Sequence, residues 1–285
     1  MVRLNPLNDL IFMAMLGKKG CEPQLQGLLN AFLCKTGRDR LSSVEIIEHT
    51  TLPPEIIGAK KSVLDVRAQL ADRTKVNIEV QLANEYNIDK RSLFYWSREY
   101  SQSIVSGQDY RELPQVIVIN ILGFRHFPLE RYHTSFHLRE DQERDFLLTD
   151  ALEMHFLDLT RYRELAGKDL RGNPEHRWMS FLDAQTPQKE VEELIKMDEG
   201  IAKAQAMMDV ISRDPGLLHA YHLYEMTLSD ETSFRNGIRE DMAINEVRAR
   251  ENEVKARENE IRAREIEVKA RENEAKAREN EVKAR

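Results

Sequence analysis

Asp65, Glu79 and Gln81 have the types and spacing for phosphate chemistry. They lie in two β-rich runs, residues 61–70 and 75–83, separated by the short polar stretch Ala71-Asp72-Arg73-Thr74. That pattern predicts a hairpin. Side chains alternate along a strand, so Leu64, Val66 and Ala68 share one face while Asp65 and Arg67 take the other. On the second run Ile78 and Val80 point one way, and Asn77, Glu79 and Gln81 the other. A register centred near Asp72 sets Asp65 directly opposite Glu79, with Cβ atoms roughly 4.5–5.5 Å apart and Gln81 one step along the same face. Two unit charges about 4 Å apart repel by about 4 kcal/mol at an effective dielectric near 20. A divalent cation between them reverses that problem, and hard oxygen ligands suit Mg²⁺ or Mn²⁺. Such an ion can polarise a phosphodiester and activate water, which the Gln81 amide could orient. The plainer alternative is a hairpin whose acidic residues are simply solvated.

The elements around this hairpin are expected as follows. Residues 8–36 carry Leu10, Met13, Leu16, Leu25, Leu28, Leu29 and Phe32 at helical spacing, broken into two helices by Gly17 and Gly20. Asn8 or Asp9 caps the first. Residues 44–49 form a first strand, stopped by Pro53-Pro54. Residues 89–106 form a helix bearing Leu93, Tyr95, Trp96, Tyr100 and Ile104, ended by Gly107. The run Val116 to Leu122 is a buried strand, and residues 133–138 and 152–159 are added edge strands. From about Pro187 to Asp230 the chain is helical, with a turn at Asp214-Pro215-Gly216. This order gives an α/β fold with helices beside one sheet.

Composition bounds the function classes. The chain has 285 residues, 41% apolar and 32% charged, with a net charge of −7. That balance is not that of a general nucleic-acid coat, which needs a positive surface, but it leaves room for a local basic patch. Cys21 and Cys34 are the only cysteines, too few for a disulfide framework, and no CxxC zinc spacing occurs. The start lacks a signal-peptide apolar region and no run is long enough to span a membrane. A cytoplasmic protein with no membrane partner is expected.

Four segments resemble the PD-(D/E)XK nuclease superfamily, and within it the Rpn-type recombination-promoting nucleases, also described as transposases. The opening Asn5-Pro6-Leu7-Asn8-Asp9-Leu10-Ile11-Phe12 is similar to the start of that family's first helix. Leu64-Asp65-Val66 followed by Asn77-Ile78-Glu79-Val80-Gln81 resembles its Asp…Glu-x-Gln core, and residues 90–100 resemble the Arg- and Tyr-bearing helix that follows. Residues 107–110 and 117–122 resemble the next loop and strand. The resemblance covers roughly residues 4–185, with a weaker helical extension to about 230. It implies a restriction-endonuclease-like core (helix, three strands, helix, strand) with added strands, and DNA cleavage with Mg²⁺, Mn²⁺ or Ca²⁺. By the same resemblance Asp65 and Glu79 are metal ligands, and Gln81 stands where the superfamily signature has Lys. Asp9 is an auxiliary acid or an N-cap. Arg91 and Tyr95, on one helix face, contact phosphate or support the site; alternatively the helix is an aromatic core element with a snorkelling Arg. Lys61, beside Lys60, touches the DNA backbone or is merely solvated.

The expected divisions are a nuclease-like domain over 1–186, a helical extension over 187–240 and a heptad-repeat charged helix over 241–285. In that tail Val247, Val254, Ile261, Val268, Ala275 and Val282 mark a seven-residue period. One apolar position per heptad is too thin a seam for a stable coiled coil. The Glu-to-Lys/Arg pairs at i,i+4, such as Glu251–Lys255, Glu253–Arg257 and Glu258–Arg262, favour a solvated single helix, each by about 0.2–0.5 kcal/mol. Weak homo-oligomerisation through these helices is the alternative. His219, His222 and Glu225 lie one helical turn apart but offer too few ligands for a metal, and His126, His133 and His137 lack zinc spacing. The expected activity is a metal-dependent DNA endonuclease associated with recombination. The alternative is a catalytically silent DNA-binding or interaction module that keeps the fold.

Overall fold

The structure is a computed structural model that describes residues 3–33, 40–47 and 66–283. Its centre is a six-stranded mixed sheet made of β1 (Val44–Ile46), β2 (Val66–Leu70), β3 (Lys75–Gln81), β4 (Val116–Leu122), β5 (His133–Arg139) and β6 (Leu147–Asp158). The order across the sheet is β1-β2-β3-β4-β6-β5. β1, β2 and β3 are antiparallel neighbours, β3, β4 and β6 run parallel, and β5 returns antiparallel to β6. The helices are α1 (Asp9–Leu16), α2 (Glu22–Leu33), α3 (Ile88–Ser101), α4 (Leu159–Glu164), α5 (Pro174–Leu182), α6 (Gln188–Met197), α7 (Glu199–Arg213) and α8 (Pro215–Lys283).

The hairpin forms where its turn chemistry demands it. The Asp72 side chain accepts from Thr74 N at 2.9 Å, and Arg73 takes a left-handed conformation with φ 71°. A residue at positive φ after the turn suits the twist of an antiparallel pair. Val66 pairs with Ile78, Arg67 with Asn77 and Ala68 with Val76, the register predicted around Asp72. From β3 the chain must cross over to pair in parallel, and α3 is that crossover. β4 is buried at every position because it is paired on both edges and covered on both faces.

Two apolar clusters lie on the two faces of the sheet. Val66, Ala68, Ile78, Ile117, Ile119 and Leu157 belong to the larger one, with α1, α2 and the helices from α4 to α7. Val118, Leu122, Met154 and Phe156 belong to the smaller one, beneath Ile88 and Trp96 of α3. In the larger cluster the indole of Trp178 reaches between α2 and α7. A Cβ at Gly200 would meet Trp178 Cζ2 at 3.0 Å and one at Gly27 would meet it at 3.3 Å, so bare backbone is needed there. At the start of α1, Asn8 is the cap: its Oδ1 accepts from Leu10 N at 3.0 Å.

The structure corrects several expectations. β6 is no edge strand, since it lies between β4 and β5 and is buried from Leu152 to Leu157. Its polar residues Glu153 and His155 mimic solvent-facing alternation but are bonded inside the protein. The helix after the hairpin ends at Ser101, ahead of the expected stop at Gly107. Helices α4 and α5 have no counterpart in the sequence reading. Within residues 1–221, which form one compact unit, Leu218 and Tyr221 of α8 join the core. Residues 222–285 form a second unit, in which Arg250–Glu246, Arg257–Glu253 and Arg264–Glu260 pair at i,i+4. Among the described residues no helix is long and apolar enough to cross a membrane.

Candidate active site

The acidic face of β3 is buried, which the solvated-hairpin alternative did not foresee. Asn77, Glu79 and Gln81 are 7%, 2% and 6% exposed, because this face lies under α3. Parallel pairing sets Glu79 beside Asn120 of β4, and Asn120 beside Phe156 of β6. Ser92 Oγ of α3 donates to Asn120 Oδ1 at 2.9 Å, and Asn120 Nδ2 donates to the His155 carbonyl at 3.2 Å. This relay fixes α3 against the centre of the sheet one residue away from Arg91. Lower on the same helix, Glu99 pairs with Lys75 at 2.9 Å and with Arg67, tying α3 to both hairpin strands.

Arg91 is held where it can meet β3. Its Nη2 donates to Glu79 Oε1, and its Nη1 donates to Glu85 Oε2 at 3.4 Å. Its Cζ lies 5.7 Å from the centre of the Tyr95 ring, so the two residues do share a helix face. The second oxygen of Glu79, Oε2, has no hydrogen-bond partner among the described residues, nor do both polar atoms of the Gln81 amide and Oδ1 of Asn77. Leaving a buried polar atom without a partner costs about 1–3 kcal/mol, more for charged groups. Such a cluster in a native fold calls for a ligand, an ion or a functional role.

The electrostatics point the same way. Burial pushes the Glu79 carboxyl above the ordinary glutamate range; Arg91 pulls it back, while the negative charges of Glu85 and Asp9 push it further up. Asp9, at the start of α1, therefore acts on Glu79 across the fold while Asn8 performs the capping. Asp65 and Lys61 lie outside the described residues. Val66↔Ile78 is one step from the predicted Asp65–Glu79 pairing. Among the described residues no three His, Cys, Asp or Glu side chains converge as a metal would need. The described side chains do offer hard oxygen donors: Glu79 Oε2 and the carbonyl oxygens of Gln81 and Asn77 lack partners, which fits a divalent cation.

Over residues 6–237 the chain matches the family described as PD-(D/E)XK nuclease family transposase. The chain belongs to this family. Its mixed α/β sheet with flanking helices is consistent with a PD-(D/E)XK nuclease-like fold. Membership supports a hydrolytic nuclease or transposase-like function, and proteins of this family generally use divalent metal ions and act on DNA. No curated protein and no solved structure matches the chain significantly.

Sequence reasoning missed Glu85 and Asn120. Asn120 had a signal, as the one polar residue in the run Val-Ile-Val-Ile-Asn-Ile-Leu. Glu85 sits in an irregular loop where no periodicity points to it. The residues of the α3 clamp, Arg67, Lys75 and Glu99, resembled ordinary surface charges and were also overlooked.

Proposed function

We propose that this protein is a divalent-metal-dependent DNA endonuclease that hydrolyses phosphodiester bonds in DNA recombination. The observation that carries the reading is Glu79: a buried carboxylate with one oxygen lacking a hydrogen-bond partner among the described residues, on the strand that the sequence pattern expects Asp65 to face. In this reading Asp65 and Glu79 hold Mg²⁺, with Mn²⁺ or Ca²⁺ as substitutes. When bound, the cation polarises the phosphodiester and lowers the pKa of a water molecule. Gln81, on the same face as Glu79, accepts a hydrogen bond from that water through Oε1 and holds it in line. Its amide carries no charge, so it cannot replace the Lys of the superfamily signature as a phosphate contact. That task falls to Lys61, while Arg91, with Tyr95 packing against it, supports the site. Asp9 adds negative potential at Glu79.

A second reading, a silent DNA-binding module, is favoured by one observation: Arg91 already neutralises Glu79, as it would in a site given over to structure. Plasmid DNA separates the two. Nicking that requires Mg²⁺ or Mn²⁺, stops with EDTA and is lost in D65A supports the enzyme. Equal DNA binding with and without metal, and no cleavage in either case, supports the silent module. The cytoplasm as location, the divisions at 186 and 240, and self-association through α8 belong to the same proposal. Limited proteolysis and solution mass test the last two.

A further inference from the structure

The geometry points to Arg91 as a resident counter-ion that a divalent cation must displace from Glu79, with Glu85 as the seat that receives it. This rests on the metal-dependent reading above and concerns how that site is loaded.

Among the described residues Arg91 is shared between two carboxylates of different kinds. Glu79 is 2% exposed and rigid on a central strand. Glu85 is in the loop that leads to α3, with its side chain 22% exposed. The contact to Glu85, at 3.4 Å, is longer than an ideal charge-assisted hydrogen bond of about 2.7–2.9 Å. It can therefore tighten. Tyr95, one turn further along α3, gives the guanidinium an aromatic surface beside both carboxylates.

Charge makes the two occupants of Glu79 mutually exclusive. Asp9 and Glu85 both act on Glu79, so among the described residues three carboxylates stand with the Arg91 guanidinium. A buried carboxylate without any cation is strongly unfavourable, and Arg91 answers that need in the absence of metal. A divalent ion next to a guanidinium on the same carboxylate repels it in a poorly solvated site. Binding of the ion thus requires Arg91 to give up Glu79 and keep Glu85. Apparent metal affinity is lowered by the work of that exchange, as for any ligand whose competent state is a minor one. Arg91 is a positioning residue in this account.

The test uses Mn²⁺ alone, without DNA, on the full chain, by calorimetry and by thermal shift. R91Q is expected to bind Mn²⁺ about tenfold more tightly than the parent, and R91K to return to the parental value. E85Q, which removes the seat, is expected to weaken binding several-fold in the parent and to have little effect in R91Q. A purely structural Glu85 would give the same loss in both backgrounds. R91Q folded only when Mn²⁺ is present also supports the exchange. If R91Q does not fold under any condition, E85Q decides: unchanged Mn²⁺ affinity overturns the proposal. Equal or weaker binding by R91Q, with binding abolished in E79Q, overturns the exchange and leaves the metal reading intact. No Mn²⁺ binding by the parent or by R91Q sinks both.

Discussion

The sheet buries polar groups on both faces, and the two sets differ in one respect. On the face of the larger core, Glu175 of α5, His133 of β5, and His155 and Glu153 of β6 form a chain. His133 Nδ1 meets Glu175 Oε1, His133 Nε2 meets His155 Nδ1, and His155 Nε2 meets Glu153 Oε1, each at 2.8 Å. Every ring nitrogen has a partner, and Tyr132 acts on Glu175 at the end of the chain, where one buried oxygen, Glu175 Oε2, accepts no hydrogen bond from the described residues. Gln115 Nε2 donates to Glu153 at the other end, at 2.9 Å. On the face beneath α3, by contrast, Glu79, Gln81 and Asn77 retain atoms with no partner among the described residues. A buried network linked from side chain to side chain adds rigidity and a unique packing, even with one oxygen to spare; a face on which three neighbouring side chains each keep unbonded atoms costs stability and persists for another reason. The comparison therefore assigns structure to the linked histidine chain and chemistry to the β3 face.

Substitutions on the two faces can break that division. The largest effect expected is on cleavage: D65A or E79A should lower the rate about a thousandfold or more, because a metal ion is worth several kcal/mol of transition-state stabilisation. A plasmid-nicking assay in Mg²⁺ reads it, and residual activity above a tenth of the parental rate would contradict the assignment. H155L should cost about 3–5 kcal/mol of stability, since it strands His133 and Glu153 in the core. Urea unfolding measures that loss, while cleavage per folded molecule should hold. E79Q should stay within about 1 kcal/mol of the parent, because Gln still accepts from Arg91 and no longer buries a charge. A collapse of E79Q with a tolerant H155L would reverse the comparison.

Acid sharpens it further. Burial holds the native His155 ring below the ordinary imidazole range, with the His133 ring adding to the effect. The native state then binds fewer protons than the unfolded chain as pH falls below about 6.5. The stabilisation is complete above that pH and is lost on acidification. Melting temperature should fall from pH 7.5 to pH 5.5, and a flat profile would remove the neutral His155 from the account. The smallest effect is expected in the tail. Its i,i+4 pairs are worth about 0.2–0.5 kcal/mol each, so truncation after residue 240 should leave cleavage unchanged. A change in activity or in the number of associated subunits on truncation would give the tail an assembly role.

Much of the β3 face was legible in the sequence because a hairpin is local. The turn at Asp72 and the strict alternation around it fix the register by themselves, and β4 reads plainly as an unbroken apolar run. The burial of Asn77, Glu79 and Gln81 was not legible, because it depends on where α3 lies. The strand carrying Glu153 and His155 reads as an edge strand in the sequence for a related reason: their partners Gln115 and His133 are distant in sequence. The start of α5 did carry a signal, with Asn173 as cap and Pro174 in the first turn. It was hidden between charged residues that showed no helical stripe. Glu85 could be found only by seeing what Arg91 touches.

The helix from Pro215 to Lys283 carries its repeats in steps of seven residues. One such step spans about 10.5 Å of axis and returns almost to the starting azimuth, off by about 20°. A replication slip that deletes or adds one unit would therefore shift everything downstream along the axis with little rotation. A segment lengthened or shortened in whole units would keep nearly the same pattern of charge around its axis.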